Sequence, residues 1–462
     1  MMPKKPKSQR PKVKPAPSPF DSLPVEIVVG IFMHCLPEPR MIDPMNRALA
    51  PRLLMRVCRG WRQIASSAPL LWYRFRVKLN EPVWNGLELT AILERSAGLP
   101  LHITLYNPIQ TASIKRVGHL TALSRYCERI SHLALDMSVS AFDAFDAYWG
   151  KHHEDAKFSS VEELSLPEIY QPVSLTNTIH IFTDASRLKR ASLFAFTPQL
   201  VAFPCANLVR FDGRAYTIQE LASLFFATPN LTECTIHLDL NPINPGLLAL
   251  PITHTALQHL RVSGNWYNGT AMSDVLLSWN FPALQSLEIQ HGVLGEESDR
   301  VIASFAQRSL MLQQLSLNIP PRGMTEFVRS FYTPFPSLHT LTVRHISYGF
   351  LEMFFEAFAV DSTFLPGVSV LHFPYMDCVI MLTSLMKEAG PGILKRRALQ
   401  PSDCALEGLV VTSEKLPAGM NFKGLGEGMP KEGLDVLREL RKNGLNVSIT
   451  WNTVKESSEF VF

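Results

Sequence analysis

One short pattern recurs along most of this chain: an apolar residue, two variable ones, a second apolar residue, one variable, and a third apolar residue. It fits Ile130-Leu133-Leu135, Val161-Leu164-Leu166, Leu188-Ala191-Leu193, Leu231-Cys234-Ile236 and Leu257-Leu260-Val262. Further on it fits Leu284-Leu287-Ile289, Leu312-Leu315-Leu317, Leu338-Leu341-Val343, Val368-Leu371-Phe373 and Leu406-Leu409-Val411, with a weaker copy from Leu208 through Phe211. The middle residues stand 20 to 38 positions apart, mostly 26 to 30. Alternation over so short a span predicts a strand with one buried face. A unit of this period cannot bury that face alone, so neighbours must stack. At 462 residues the chain is too long for one ordinary compact domain, but not for an array that grows by stacking.

The intervals carry helical signals. In "TIQELASLFFATPNL", Thr217 and Glu220 have capping-box spacing, with Ile218, Leu221, Leu224 and Phe225 on one face. Similar patterns occupy 298–308, 325–332, 349–358 and 379–389, and "LDVLRELRKNGLNVSITW" reads as a final helix and capping strand. "LPLHITL", 99–105, is expected to start the array. The pattern resembles irregular leucine-rich repeats, although the asparagine of that family's consensus is missing from most copies. The alternative is a doubly wound sheet, whose strands read more often as continuous apolar runs.

Upstream, "LPVEIVVGIFMHC" (23–35) predicts a helix entered through Pro24, with Glu26 favourable to its dipole. Leu23, Ile27 and Ile31 form one apolar stripe and Val28, Phe32 and Cys35 another, so this helix needs cover on more than one side. A second helix is expected from Leu49 to Ala68, with Leu53, Val57, Trp61, Ile64 and Ala68 on one face and Arg52, Arg56, Arg59 and Arg62 on the other. Pro69 stops it, leaving Leu70, Leu71 and Trp72 as an apolar exit. About fifty residues cannot enclose so many large apolar side chains, and the surplus points to a binding surface.

The order Leu23, Pro24, Glu26, Ile27, Ile31, Phe32, Val57, Cys58, Trp61, Arg62, Ala65, Pro69, Leu71, Trp72 resembles the F-box. The Pro-rich connection "LPEPRMIDPMNRALAP" is longer than usual in animal F-boxes and similar to an F-box-like variant common in fungal proteins. The resemblance implies a Skp-family adaptor bound through Leu23, Pro24, Ile27, Ile31, Phe32, Val57, Cys58, Trp61, Ile64, Pro69, Leu71 and Trp72, with Val57, Trp61 and Ile64 also forming core. The expected class is α/β, with a small all-α F-box-like module followed by a leucine-rich-repeat solenoid of about 11–12 strand–helix repeats. The expected division is an arm at 1–19, the module at 20–75, a linker or first helix at 76–98, and the solenoid at 99–462.

Charge placement narrows function further. The chain has 44 basic and 41 acidic residues, and "MMPKKPKSQRPKVKPAPSPF" holds six of the bases and no acid, so the remainder is slightly acidic. That argues against a broad nucleic-acid face. The opening stretch reads as a disordered polyproline-biased arm, solubilising or nuclear-localising, without the apolar core of a signal peptide. Seven scattered cysteines without a CxxC pair suggest reduced thiols, hence cytoplasm or nucleus. No apolar run reaches membrane-spanning length.

Catalytic chemistry is sparse. "KHHED" (151–155) lacks a second cluster to complete a metal set and reads as a solvated loop. "KGLGEG" (423–428) lacks the Lys-Ser/Thr of a phosphate loop. No cofactor or metal is expected. Residues flanking the apolar strand positions face a concave surface: Arg190, Arg210, Asp212, Arg214, His237, His259, Arg261, Glu288, Arg344 and His372. Of these, Arg190, Arg210, Arg214, His237, His259, Arg261 and Arg344 are candidate contacts for an acidic or phosphorylated target, and Trp266 and Tyr267 are candidate loop anchors. The resemblance implies a non-catalytic substrate receptor of a cullin-RING ubiquitin ligase; the alternatives are a repeat scaffold with no ligase and an enzyme with an unrecognised site.

Overall fold

The computed structural model describes residues 19–38, 41–79, 86–107, 118–166, 178–194, 200–238, 251–264, 273, 276–290, 298–318, 324–332, 335–344, 346–374, 379–399, 405–413, 431–452 and 457–460. The chain divides between Ala156 and Lys157 into two compact units.

The first unit opens on two helices, α1 (Val25–His34) and α2 (Arg59–Ser67). Pro24 is the N-cap of α1 and Glu26 lies in its first turn. The single helix expected from Leu49 to Ala68 is interrupted: residues 47–53 form turns, Leu54–Arg56 is a 3-10 turn, and Cys58 is extended. Pro51 has no place in a helix interior. The Cys58 sulfur instead accepts from the Trp61 backbone N–H at 3.4 Å, capping α2.

At the far end of α2, Pro69 occupies the position whose N–H would bond the Ala65 carbonyl. The Trp72 indole N–H donates to that carbonyl instead, at 2.7 Å. Trp72 is fully buried, with the Arg95 guanidinium 4.9 Å from its ring. It therefore closes the junction between the helical module and the first repeat.

The connection between α1 and α2 is a packed part of the module. Ile42, Met45, Ala50 and Leu54 are buried in it. Arg52 donates to the Pro44 carbonyl (2.8 Å), Arg56 to that of Arg47 (3.2 Å) and Arg62 to that of Met55 (2.9 Å). The Ile42 carbonyl accepts from Arg76 N–H (2.9 Å), so the connection also covers the outer edge of the first strand.

That strand, β1 (Arg74–Lys78), pairs in parallel with β2 (Leu101–Tyr106), which pairs with β3 (Ile130–Asp136). The array thus begins one strand earlier than 99–105, and the stretch expected as linker holds the end of β1 and helix α3 (Gly86–Arg95). Helices α4 (Gly118–Ser124) and α5 (Val139–His152) complete the unit. Because α5 runs to His152, the first two residues of "KHHED" are helical rather than loop.

The second unit is a ladder of parallel strands. In order these are β4 (Glu163–Leu166), β5 (Arg190–Leu193), β6 (Arg210–Tyr216), β7 (Glu233–Leu238), β9 (His259–Gly264) and β11 (Ser286–Gln290). They continue through β12 (Gln314–Asn318), β13 (Thr340–Arg344), β14 (Val370–Pro374), β15 (Gly408–Ser413) and β16 (Asn446–Asn452). All three apolar residues of every full triplet named above are buried. At each entry from β5 to β15 one carbonyl accepts from two successive amides of the next strand. Glu162 O takes those of Lys189 and Arg190, and Lys189 O those of Val209 and Arg210; the pattern continues through Val209, Thr232, Gln258, Gln285, Gln313, His339 and Ser369. The ladder does not end on β16: β17 (Ser457–Phe460) pairs with it antiparallel.

The expected strand–helix alternation holds only in part. Helix α6 (Ile218–Ala227) has the full Thr217–Glu220 capping box, and α7 (Ser298–Arg308), α8 (Met324–Arg329), α9 (Tyr348–Val360) and α11 (Lys431–Lys442) follow. In other intervals the outer layer contains short parallel pairings: Ile179 with Val201, and β8 (Ile252–Thr253) with β10 (Trp279–Asn280). Pro204 and Pro251 remove donors that a helix at those positions would need. Helix α10 (Val379–Leu399) runs past its expected end at 389, through Pro391. Gly392 lets it lie close against α9, since a Cβ there would lie 3.0 Å from the Phe355 carbonyl.

Candidate interaction surfaces

The two apolar stripes of α1 have different fates. Val28 and Phe32 are buried against the module, whereas Leu23 and Ile27 are exposed, Ile27 at 54%. Trp61 bridges the helices, its ring 4.9 Å from Phe32 and 5.4 Å from Phe20. An edge-on aromatic contact of this kind fixes ring orientation as well as burying area.

The expected contact residues therefore separate. Leu23, Pro24, Ile27, Val57 and Cys58 are exposed; Ile31, Trp61, Ile64 and Pro69 are half-buried. Phe32, Leu71 and Trp72 are fully buried by the chain itself and hold the module together. Val57, expected in the core, is 56% exposed because the chain breaks from helical geometry just before α2. Phe20, Val25 and Met41 are exposed apolar residues that the sequence pattern did not single out. Leu53, expected on the apolar face of a helix, lies in the irregular connection and is exposed, as is Leu70 of the apolar exit.

On the second unit's sheet, residues between the apolar positions form cross-strand rows. Most of the candidate arginines already have carboxylate partners. Arg190 pairs with Glu163 (3.5 Å), and Arg210 with Asp212 (3.3 Å) and Glu233 (3.4 Å). Arg261 Nε meets one oxygen of Glu288 at 2.5 Å, while Arg344 and the Gln290 amide (2.6 Å) donate to the other. Arg214 lies over Phe194, its guanidinium carbon 5.6 Å from the ring. His237 shares a hydrogen bond with Ser263 (3.1 Å), and His259 is exposed at the strand entry. His372 bonds Thr412 (3.2 Å); burial, then the Arg344 charge, holds its imidazole below the usual range.

Glu163 and Glu233 stand in the same rows, so most positive charge there is matched strand by strand. Trp266, Tyr267 and the segment 423–428 lie outside the described residues. Among the described residues no group of three or more His, Cys, Asp and Glu could hold a metal ion, and no helix is long and apolar enough to cross a membrane.

Residues 20–78 match the F-box-like family profile, a stretch that contains α1, the packed connection, α2 and β1. Among solved structures, a leucine-rich repeat-containing protein, LegL7 from Legionella pneumophila, aligns with a TM-score of 0.32 and 12% identity over 84% of this chain and 93% of that one. No curated protein matches the chain. An F-box-like domain is therefore followed here by parallel strand repeats, the repeats being established by their own hydrogen-bond ladder.

Proposed function

We propose that this protein is the substrate-recognition subunit of an SCF-type cullin-RING ubiquitin ligase, with the F-box-like module docked on a Skp-family adaptor and the repeat array holding the target. The observation that carries this is the outward apolar surface of the module: Leu23, Val25 and Ile27 around α1, with Leu53, Val57 and Leu70 exposed on the same small module. The fold does not need these side chains outside, since Val28, Phe32, Ala65, Leu71 and Trp72 already fill the interior. Exposed apolar residues at this density mark a protein-interaction surface. The protein itself would make and break no bond. By holding target and ligase in one complex it raises the effective concentration of the target's lysines at the transferring enzyme.

The test is capture of a recombinant Skp-family adaptor by the full chain. Ile27→Asp with Val57→Asp should abolish capture while leaving the melting temperature within a few degrees, because both side chains are more than half exposed. An intact wild-type protein that never captures adaptor would leave the repeat-scaffold reading, without a ligase, in its place.

A further inference from the structure

Charge on the second unit's sheet face is matched locally, with one departure. Between β4 and β5, Arg190 and Glu163 balance, and between β6 and β7, Arg210 and Arg214 stand against Asp212 and Glu233. From β9 to β13 the described outward residues include only three that are charged at neutral pH besides histidine: Arg261, Glu288 and Arg344. Among the described residues one carboxylate is shared there by two guanidinium groups, a formal excess of one positive charge.

The geometry determines where that charge is presented. Arg344 lies back across β12, donating from Nε to the Ser316 hydroxyl (3.1 Å) and from Nη2 to Glu288, and its side chain is 14% exposed. Arg261 is 53% exposed and is held only through Nε. Its two terminal nitrogens have no partner among the described residues, so the flat edge that matches a carboxylate faces outward. In register beside it stands Thr235 on β7 and, along its own strand, His259 and Ser263, polar groups able to bond a neighbouring peptide.

We propose that Arg261 receives an aspartate or glutamate carboxylate of an acidic segment in the target protein, with Glu288 as the positioning residue that orients it. This rests on the reading of the repeat array as the target-binding part. A single net charge beside a fixed carboxylate suits a monoanion; a phosphate dianion would meet Glu288 at short range with one charge uncompensated. Glu288 is itself restrained on both oxygens, so Arg261 loses little freedom on binding.

The experiment uses the full chain and a fluorescein-labelled ten-residue polyglutamate peptide, read by anisotropy at low and at physiological salt. Arg261→Gln should weaken binding about ten-fold, the loss of one charge-assisted pair, while Arg190→Gln changes it less than two-fold. Glu288→Gln separates orientation from simple attraction. It makes the face more positive, yet it should weaken binding several-fold because Arg261 is no longer held. Arg261→Lys, which keeps the charge without the fork, should do the same and needs no change at the less exposed Glu288. Equal or tighter binding by Glu288→Gln, unchanged binding by Arg261→Lys, wild-type preference for a phosphoserine peptide of equal length, or no polyglutamate binding at all would each overturn the proposal. Adaptor capture is scored on the same samples, so failure here with capture intact leaves the ligase reading standing, and the converse leaves Arg261 standing.

Discussion

Trp72 is the residue at which core and contact surface can be told apart by measurement. The structure gives it two tasks inside the module: filling a fully buried site, and donating its indole N–H to the Ala65 carbonyl that Pro69 cannot serve. Trp72→Phe keeps an aromatic ring but deletes the donor. An orphaned buried carbonyl costs about 1–3 kcal/mol. The missing ring atoms add about 1 kcal/mol in lost burial and residual cavity. Together these give about 2–4 kcal/mol, which in a unit of this size lowers the midpoint of its thermal transition by roughly 5–15 °C. The assay is differential scanning calorimetry of the full chain, with adaptor capture measured well below the lowered transition. Capture should persist there, because no part of Trp72 reaches the surface. An unchanged transition together with lost capture would refute the reasoning, since it would make Trp72 a contact and not a strut.

Two further perturbations probe buried polar groups. His119 is buried without a hydrogen-bond partner among the described residues, and burial lowers its pKa to about 4 from 6.5. The unfolded chain therefore binds the extra proton first: the contribution is complete above pH 6.5 and is lost as pH falls towards 4, by roughly 2 kcal/mol between pH 7 and pH 5. Urea midpoints should fall less between those pH values in His119→Leu than in the wild type, and equal falls would count against this account. Arg396 is also buried, donating to the carbonyls of Phe358 (3.1 Å) and Phe364 (2.7 Å) with its guanidinium 4.2 Å over the Phe358 ring. Arg396→Met should cost about 2–4 kcal/mol in the second unit's transition, with no effect on adaptor capture; a loss under 1 kcal/mol would show that the carbonyls find other donors.

What could be read in the sequence follows from how local each cause is. The strands were legible because alternation is imposed by the sheet on consecutive residues, as at Leu287 and Ile289. The capping box of α6 was legible because Thr217 and Glu220 are three apart. Phe32 and Ile27 could not be told apart as core and surface, since α1 is apolar on both stripes and only the packed partner selects one. The carboxylate partner of Arg344 was hidden for a different reason. Glu288 lies 27 residues from Arg261, one repeat on and in register with it, but 56 from Arg344, which sits two places further along its strand, and that diagonal reach across β12 does not follow from the repeat pattern.

The missing consensus asparagine has an account of the same kind. Stacked repeats leave carbonyls at the ends of each outer segment that must be satisfied by whatever packs next. In this chain the donors come from side chains about one repeat further on, and their identity varies. Arg129 reaches back 30 residues to the Leu99 carbonyl and 33 to the Ser96 hydroxyl at the end of α3, and His254 reaches 26 to the Thr228 carbonyl after α6. Arg308 reaches 31 and 32 residues to the carbonyls of Leu277 and Leu276, and Arg396 reaches 32 and 38 to those of Phe364 and Phe358. These separations track the repeat length, so each clamp couples one repeat to its predecessor. In a one-dimensional array, stability depends on such nearest-neighbour terms more than on any unit alone. A long guanidinium can meet several carbonyls from different starting points, which relaxes the requirement for one residue type at one fixed position. The repeats can then drift in length and sequence while remaining stacked.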